Sequence, residues 1–272
     1  MAAAGKNAGE NPRDVEAALN YCGADGGRDR RIITIRDARA TTNLSLDREG
    51  FVLAERASAV RDFYNAEEVH EVYYPEVAKL LMDVTGAVRA QVFEHDVRCD
   101  ALAKRDKKVR TPVRMIHDDY TSKSSPERIR LYLPDEAEAL IGKRYAIINV
   151  WRAIRGPVEA TPLAVCDASS VALEDLLPTE EGVKHEVYQL RFERRHRWYY
   201  FSRMRRDEAL ILKCFDSDQS VVGRCTAHSA FDDPHTPSDA APRPANGRCD
   251  PRCRGEDPEA GRLPRDHDQP HC

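Results

Sequence analysis

No run of about 18 apolar residues occurs anywhere in the 272-residue sequence, so no helix long enough to cross a bilayer is encoded. The opening stretch MAAAGKNAGENPRD has none of the apolar core that a secretory signal carries. Positive charge is not in surplus either. The 42 basic and 46 acidic residues leave a formal net charge of −4, and nothing in that balance draws the chain onto nucleic acid or anionic lipid. Internal repeats and coiled-coil heptads are missing, as is a disulfide framework. Cys22, Cys99, Cys166, Cys214 and Cys225 stand singly in apolar or strand-like text, which suits reduced thiols. These absences predict a soluble, cytoplasmic protein with no nucleic-acid or membrane partner; they specify no oligomeric state.

What is present divides into three parts. Residues 1–30, rich in Ala, Gly, Asn and Asp, read as a disordered leader. Residues 31–243 read as a single domain. Residues 244–272, dense in Pro, Arg and Asp with almost no large apolar side chain, read as a disordered tail, because such text cannot bury enough surface to offset its ordering entropy. Within the domain, Val69, Val72, Tyr73, Val77, Leu80, Leu81 and Val84 recur at three and four, which predicts an amphipathic helical region over 66–85, kinked at Pro75 and closed by Gly86. Strand signals occupy 31–35, 50–53, 87–93, 144–154, 163–168, 209–215 and 220–231. The runs 185–192 and 197–204 read as a hairpin. Many short strands behind a helical region predict a β sandwich or barrel flanked by helices.

The most informative short segment is Val113-Arg-Met-Ile-His117-Asp118-Asp119-Tyr120-Thr121. In extended chain, residues two apart share a face, so His117 and Asp119 project together while Asp118 points away. His228, far along in another strand-like run, is the best third member. Two imidazoles and a carboxylate on one side of an ion form the facial triad of non-haem Fe(II) oxygenases, with open positions for 2-oxoglutarate and O2. His95, at a strand end, reads as structural, and His70, on the helix, as solvated.

Four blocks together carry a family likeness: MIHDDYT (115–121), NVWRAIRGPVEATPLAVCDASS (149–170), YYFSRMRRDEALILKCFDS (199–217) and AHSAFDDPHTPSDAAPR (227–243). The chain resembles the hydroxylase/desaturase family that contains a fungal gibberellin desaturase, fungal secondary-metabolite oxygenases and a cephamycin-pathway protein. The resemblance implies a double-stranded β-helix, or jelly-roll, core. It also implies Fe(II), 2-oxoglutarate and O2 as cofactor and co-substrates, a small-molecule biosynthetic intermediate as substrate, and His117, Asp119 and His228 on the ligand positions.

One departure from the family concerns its late arginine, which commonly pairs with the distal carboxylate of 2-oxoglutarate through a guanidinium fork. Past Pro242 this sequence loses strand character. Arg243 is then the candidate for that role, with Arg152 and Arg248 as further possibilities. A chain lacking its final strand could also be a noncatalytic jelly-roll homologue. Tyr120, Asn149 and Trp151, beside motif positions, are candidates for the substrate pocket. The basic cluster Arg191, Arg194, Arg195 and Arg197 reads as a solvated turn. Cys249, Cys253, His267 and His271 have near zinc-finger spacing, but Pro251, Pro258, Pro264 and Pro270 interrupt the helix that a finger needs.

Overall fold

The computed structural model describes residues 13–104, 106–180 and 185–236. Eleven strands appear among them: β1 (Val15–Cys22), β2 (Arg28–Asp37), β3 (Phe51–Glu55), β4 (His117–Asp118), β5 (Ala146–Arg152), β6 (Leu163–Cys166), β7 (Leu176–Thr179), β8 (Val187–Leu190), β9 (Trp198–Tyr200), β10 (Glu208–Asp216) and β11 (His228–Ala230). Eight of them form one sheet in the order β1-β2-β9-β6-β11-β4-β8-β7, and three form a second, β3-β10-β5. The large sheet is nearly closed. Isolated parallel bridges join Asn20 to Met115 and Cys22 to Arg191, and the Ile116 N–H donates to the Asn20 carbonyl at 2.9 Å. This is the jelly-roll architecture that the family likeness implies.

Side-chain alternation decides which face of each strand does what. Ile116, Ala164 and Cys166 join Val15, Leu19, Tyr21 and Trp198 in the core inside the curled large sheet. Val165 and Tyr120 point the opposite way and pack against Leu210, Leu212 and Cys214 of the small sheet. β10 is buried along its whole length because it is covered on both sides: Leu210 and Leu212 face the large sheet, while Ala209 and Ile211 pack on Leu80 of the helical layer. A strand buried on both faces reads as an unbroken apolar run, as ALILKCF does. Lys213 lies inside that run with its ammonium between Asp216 and Asp47, at 2.8 and 2.7 Å.

The helical region runs through α-helical Ala66–Glu68, a π turn at Val69–Tyr73 and α-helical Tyr74–Thr85. Asn65 caps its start. The π turn and Pro75 in the first turn of the last segment give the restart expected at the proline. Gly86, at φ 72°, closes it in the left-handed region by donating to the Met82 carbonyl.

Three expectations need correction. Strand structure starts at Val15, well inside the segment read as a leader, because the alternation in VEAALNYC buries Val15, Ala17, Leu19 and Tyr21 on one face. Residues 87–93 form no strand despite their pattern, since no neighbouring strand pairs with them; Phe93 instead packs on Tyr132, with ring centroids 4.8 Å apart. The runs at 185–192 and 197–204 do contain β8 and β9, but these are not a hairpin. β8 pairs with β4 and β7, and β9 with β2 and β6, because the large sheet interleaves strands distant in sequence. The tail beyond residue 236, including Arg243, Arg248 and the cysteine–histidine spacing, lies outside the described residues.

Candidate metal centre

His117 opens β4 and His228 opens β11. These strands are antiparallel neighbours in which the two histidines are direct cross-strand partners. Both side chains therefore leave the same face of the large sheet, and their ring centroids lie 4.4 Å apart. Asp119, two residues after His117, shares that face: its Oδ1 is 3.5 Å from His117 Nε2 and its Oδ2 is 3.8 Å from His228 Nε2. The three donors lie within 4.8 Å of one another, and no other group of three or more His, Cys, Asp or Glu side chains able to hold an ion occurs among the described residues. Two bonds of about 2.1 Å meeting at right or tetrahedral angles need donor separations of about 3 to 3.5 Å, so an ion fits here with small adjustments.

Hydrogen bonds fix the imidazoles for that task. His117 Nδ1 lies 2.9 Å from the Met115 carbonyl and His228 Nδ1 3.0 Å from the Thr226 carbonyl. A carbonyl can only accept, so each Nδ1 carries the proton and each Nε2 lone pair faces the centre of the group. This is the outer-partner arrangement that orients metal-binding histidines. Electrostatics agree. Burial pushes His228 down to about 4, reinforced by the neighbouring His117. Burial also opposes charge on His117, but the Asp119 carboxylate outweighs it and raises that residue. Burial alone would raise Asp119; His228 and His117 overcome it and hold the carboxylate well below its ordinary range. An anionic oxygen beside two imidazole nitrogens suits a divalent cation, which would take the place of the proton that Asp119 favours on His117 and would leave positions open.

Asp118 behaves as alternation predicts. Its side chain turns to the opposite face, fully buried beside Cys225, where burial and the charge on Asp119 push its carboxyl well above the usual value.

The small sheet supplies the facing wall. Asn149 on β5 places its amide 3.5 Å from Asp119 Oδ2, and the Cys214 thiol on β10 lies 3.2 Å from the same oxygen. Tyr120 and Trp151 line the adjoining cavity of about 2000 Å³, which exceeds the about 300 to 1,000 Å³ of a typical small-molecule site. Arg152 lines the same cavity as the triad. It lies one residue off the Asn149 and Trp151 parity, with its guanidinium over the Tyr73 ring and donating to the carbonyls of Arg56 and Arg206.

Other residues at the site carry no motif in the sequence. His185 Nδ1 is 2.9 Å from an Arg128 guanidinium nitrogen, which can only donate, so Nε2 carries the proton and donates to the Asp119 carbonyl at 2.9 Å. The ring also stacks on Tyr120, at 5.0 Å. Arg98 lines the cavity near enough to both metal-facing imidazoles to oppose their protonation. His95, which reads as structural, accepts from or donates to the Tyr74 hydroxyl at 2.9 Å, and His70 is exposed.

Comparison with known proteins agrees with this geometry. A family described as "Oxidoreductase/YMDC permease-like domain" matches residues 6–245. The chain is 33% identical over 231 residues to hydroxylase/desaturase CTB9 of Cercospora beticola, covering 75% of this chain and 71% of that one. It is 32% identical over 222 residues to the Fe(II)/2-oxoglutarate-dependent dioxygenase nvfI of Aspergillus novofumigatus, covering 78% and 79%. The solved structure of the iron and alpha-ketoglutarate-dependent endoperoxidase NvfI superposes with a TM-score of 0.75 at 26% identity, over 85% of this chain and 94% of that one. The chain belongs to this oxidoreductase family, that of the hydroxylase/desaturases and Fe(II)/2-oxoglutarate-dependent dioxygenases of secondary metabolism.

Proposed function

We propose that this protein is an Fe(II)/2-oxoglutarate-dependent oxygenase that oxidises a small-molecule biosynthetic intermediate, with His117, Asp119 and His228 as its metal ligands. The observation that carries the reading is the convergence of those three side chains, each imidazole turned by its own backbone hydrogen bond so that Nε2 faces the carboxylate. When bound there, iron with 2-oxoglutarate and O2 supplies oxidation of unactivated C–H bonds, coupled to decarboxylation of the keto acid to succinate.

The chain's own residues do the positioning. His117, Asp119 and His228 take one side of the ion and leave the other for co-substrates. The apolar wall formed by Trp151, Val158 and Leu163 excludes water and seats an apolar substrate body. Tyr120, held by the His185 ring, lines the same space. The distal carboxylate of 2-oxoglutarate needs a cation. Arg243 is the candidate from the sequence, and Arg98, which lines the cavity and opposes protonation of both imidazoles, is a described one. The cavity has room for 2-oxoglutarate and a substrate considerably larger than it. Nothing here favours the noncatalytic alternative. No disulfide joins the described cysteines, which fits a cytoplasmic location where thiols stay reduced.

The test is Fe(II)-dependent conversion of 2-oxoglutarate to succinate by the full chain. Turnover should disappear in His117→Ala and Asp119→Ala while both remain folded by circular dichroism. Undiminished succinate formation in either variant would refute the ligand assignment.

A further inference from the structure

The carboxylate of Asp119 has two oxygens, and only one is needed for a metal. A mobile carboxylate could swing to chelate with both, closing a position that a co-substrate requires. Something has to fix its rotation.

The Cys214 side chain is placed for this. It is 1% exposed, with its sulfur 3.2 Å from Asp119 Oδ2. Its position in the strand is unusual. On β10, Lys213 is paired with Ile148 of β5 and Phe215 with Ile147, so Cys214 is the extra residue of a β-bulge. A bulge takes one residue out of the ladder and changes the facing of the residues that follow it. Here Cys214 and Phe215, adjacent in sequence, both pack in the core between the two sheets, which regular alternation forbids. Cys214 continues the face of Leu210 and Leu212, which brings the thiol to Asp119, and the bulge turns Phe215 onto that same face beside it. A second donor meets the same oxygen: the Asn149 amide, 3.5 Å away on β5, whose Cα partner on β10 is Leu212. Both donors are neutral, so they orient the carboxylate without cancelling its charge.

We propose that Cys214, assisted by Asn149, is a positioning residue that pins Oδ2 of Asp119 and leaves Oδ1 to bind the metal through a single oxygen. The inference rests on the ligand assignment above. Its chemistry is that of an outer partner, whose removal typically weakens metal binding by about 10- to 100-fold.

The test is anaerobic titration of the full chain with Co(II), followed by its visible d–d absorption, for wild type, Cys214→Ala, Cys214→Ser, Asn149→Ala and His117→Ala, with thermal melts alongside. Cys214→Ala, which keeps the fold but removes the donor, should bind about 10- to 100-fold more weakly. Cys214→Ser, which restores a donor, should recover most of that loss. Should Cys214→Ala fail to fold, Asn149→Ala carries the same test with a smaller expected loss, as its longer contact implies. Wild-type affinity in a folded Cys214→Ala, or a loss in Cys214→Ser equal to that in Cys214→Ala, would overturn the proposal, because packing alone would then explain the thiol. A sulfur-to-cobalt charge-transfer band that vanishes in Cys214→Ser would also overturn it, making Cys214 a ligand. His117→Ala separates the two readings. If it binds Co(II) like wild type, the ligand assignment fails; if it alone loses binding, only the role of Cys214 does.

Discussion

The first strand backs the metal-bearing strand, and one hydrogen bond measures how firmly. Trp198 Nε1 donates to the Tyr21 hydroxyl at 2.6 Å, with Tyr21 fully buried and Trp198 1% exposed. From the same strand, the Asn20 side chain donates to the Arg114 carbonyl, and the Asn20 carbonyl accepts from Ile116 next to His117. Tyr21→Phe removes only the hydroxyl and strands the indole N–H in an apolar core. An orphaned buried donor costs about 1 to 3 kcal/mol. In a chain of this size each kcal/mol moves the melting temperature by about 2 to 4 °C, so a fall of roughly 2 to 12 °C is expected. The assay is urea unfolding with a parallel thermal melt, repeated in a Trp198→Phe background. There the donor is gone, and Tyr21→Phe should cost less than about 1 kcal/mol, since removing both partners avoids the unsatisfied group. Equal costs in the two backgrounds, or a cost below about 0.5 kcal/mol in the native one, would refute the docking of β1 through this contact.

Three further outcomes follow from local geometry. Gly50 sits at φ 87°, and an added Cβ would lie 2.2 Å from Thr226 Oγ1, so Gly50→Ala should destabilise by about 1 to 3 kcal/mol. It should also weaken metal binding, since the Thr226 carbonyl orients His228; equilibrium unfolding and Co(II) titration check the two effects. Lys213→Ala leaves Asp216 with Arg144 as its remaining cation and should cost about 1 to 3 kcal/mol in urea unfolding, whereas Asp47→Ala, at the largely exposed end of the same network, should cost under about 1 kcal/mol. Stability should also fall as pH drops below about 6.5. Burial lowers His196 from its ordinary value, so the unfolded chain takes up that proton first and is favoured as pH falls. His196→Gln should reduce the slope of unfolding free energy between pH 5 and 6.5, measured by urea titrations across that range.

Much of the site was legible because it obeys short-range rules. His117 and Asp119 share a face through the two-residue period of extended chain, and the same period turns Asp118 away. β10 announced itself as an unbroken apolar run, and Gly86 ended the helix where the periodicity stopped. Other features depend on contacts that the chain makes far from itself. β1 looked like leader because Glu16, Asn20 and the glycines after it dilute an alternation that only pairing with β2 turns into a core face. The supposed hairpin failed because the jelly roll pairs β8 and β9 with strands up to about 160 residues away in sequence. Arg152 was one residue off the parity of Asn149 and Trp151. Cys214 follows the alternation of Leu210 and Leu212, but its contact with Asp119 joins residues 95 apart in sequence and so exists only in the fold. His185 and Arg128 are joined only by the fold.

The most direct test of the central claim is anaerobic addition of Fe(II) and then 2-oxoglutarate to the purified chain, followed by visible absorption. The account predicts a charge-transfer band, from the keto acid chelating iron, that saturates near one equivalent of metal and is absent in His117→Ala and His228→Ala. A band of undiminished intensity in either variant would contradict it.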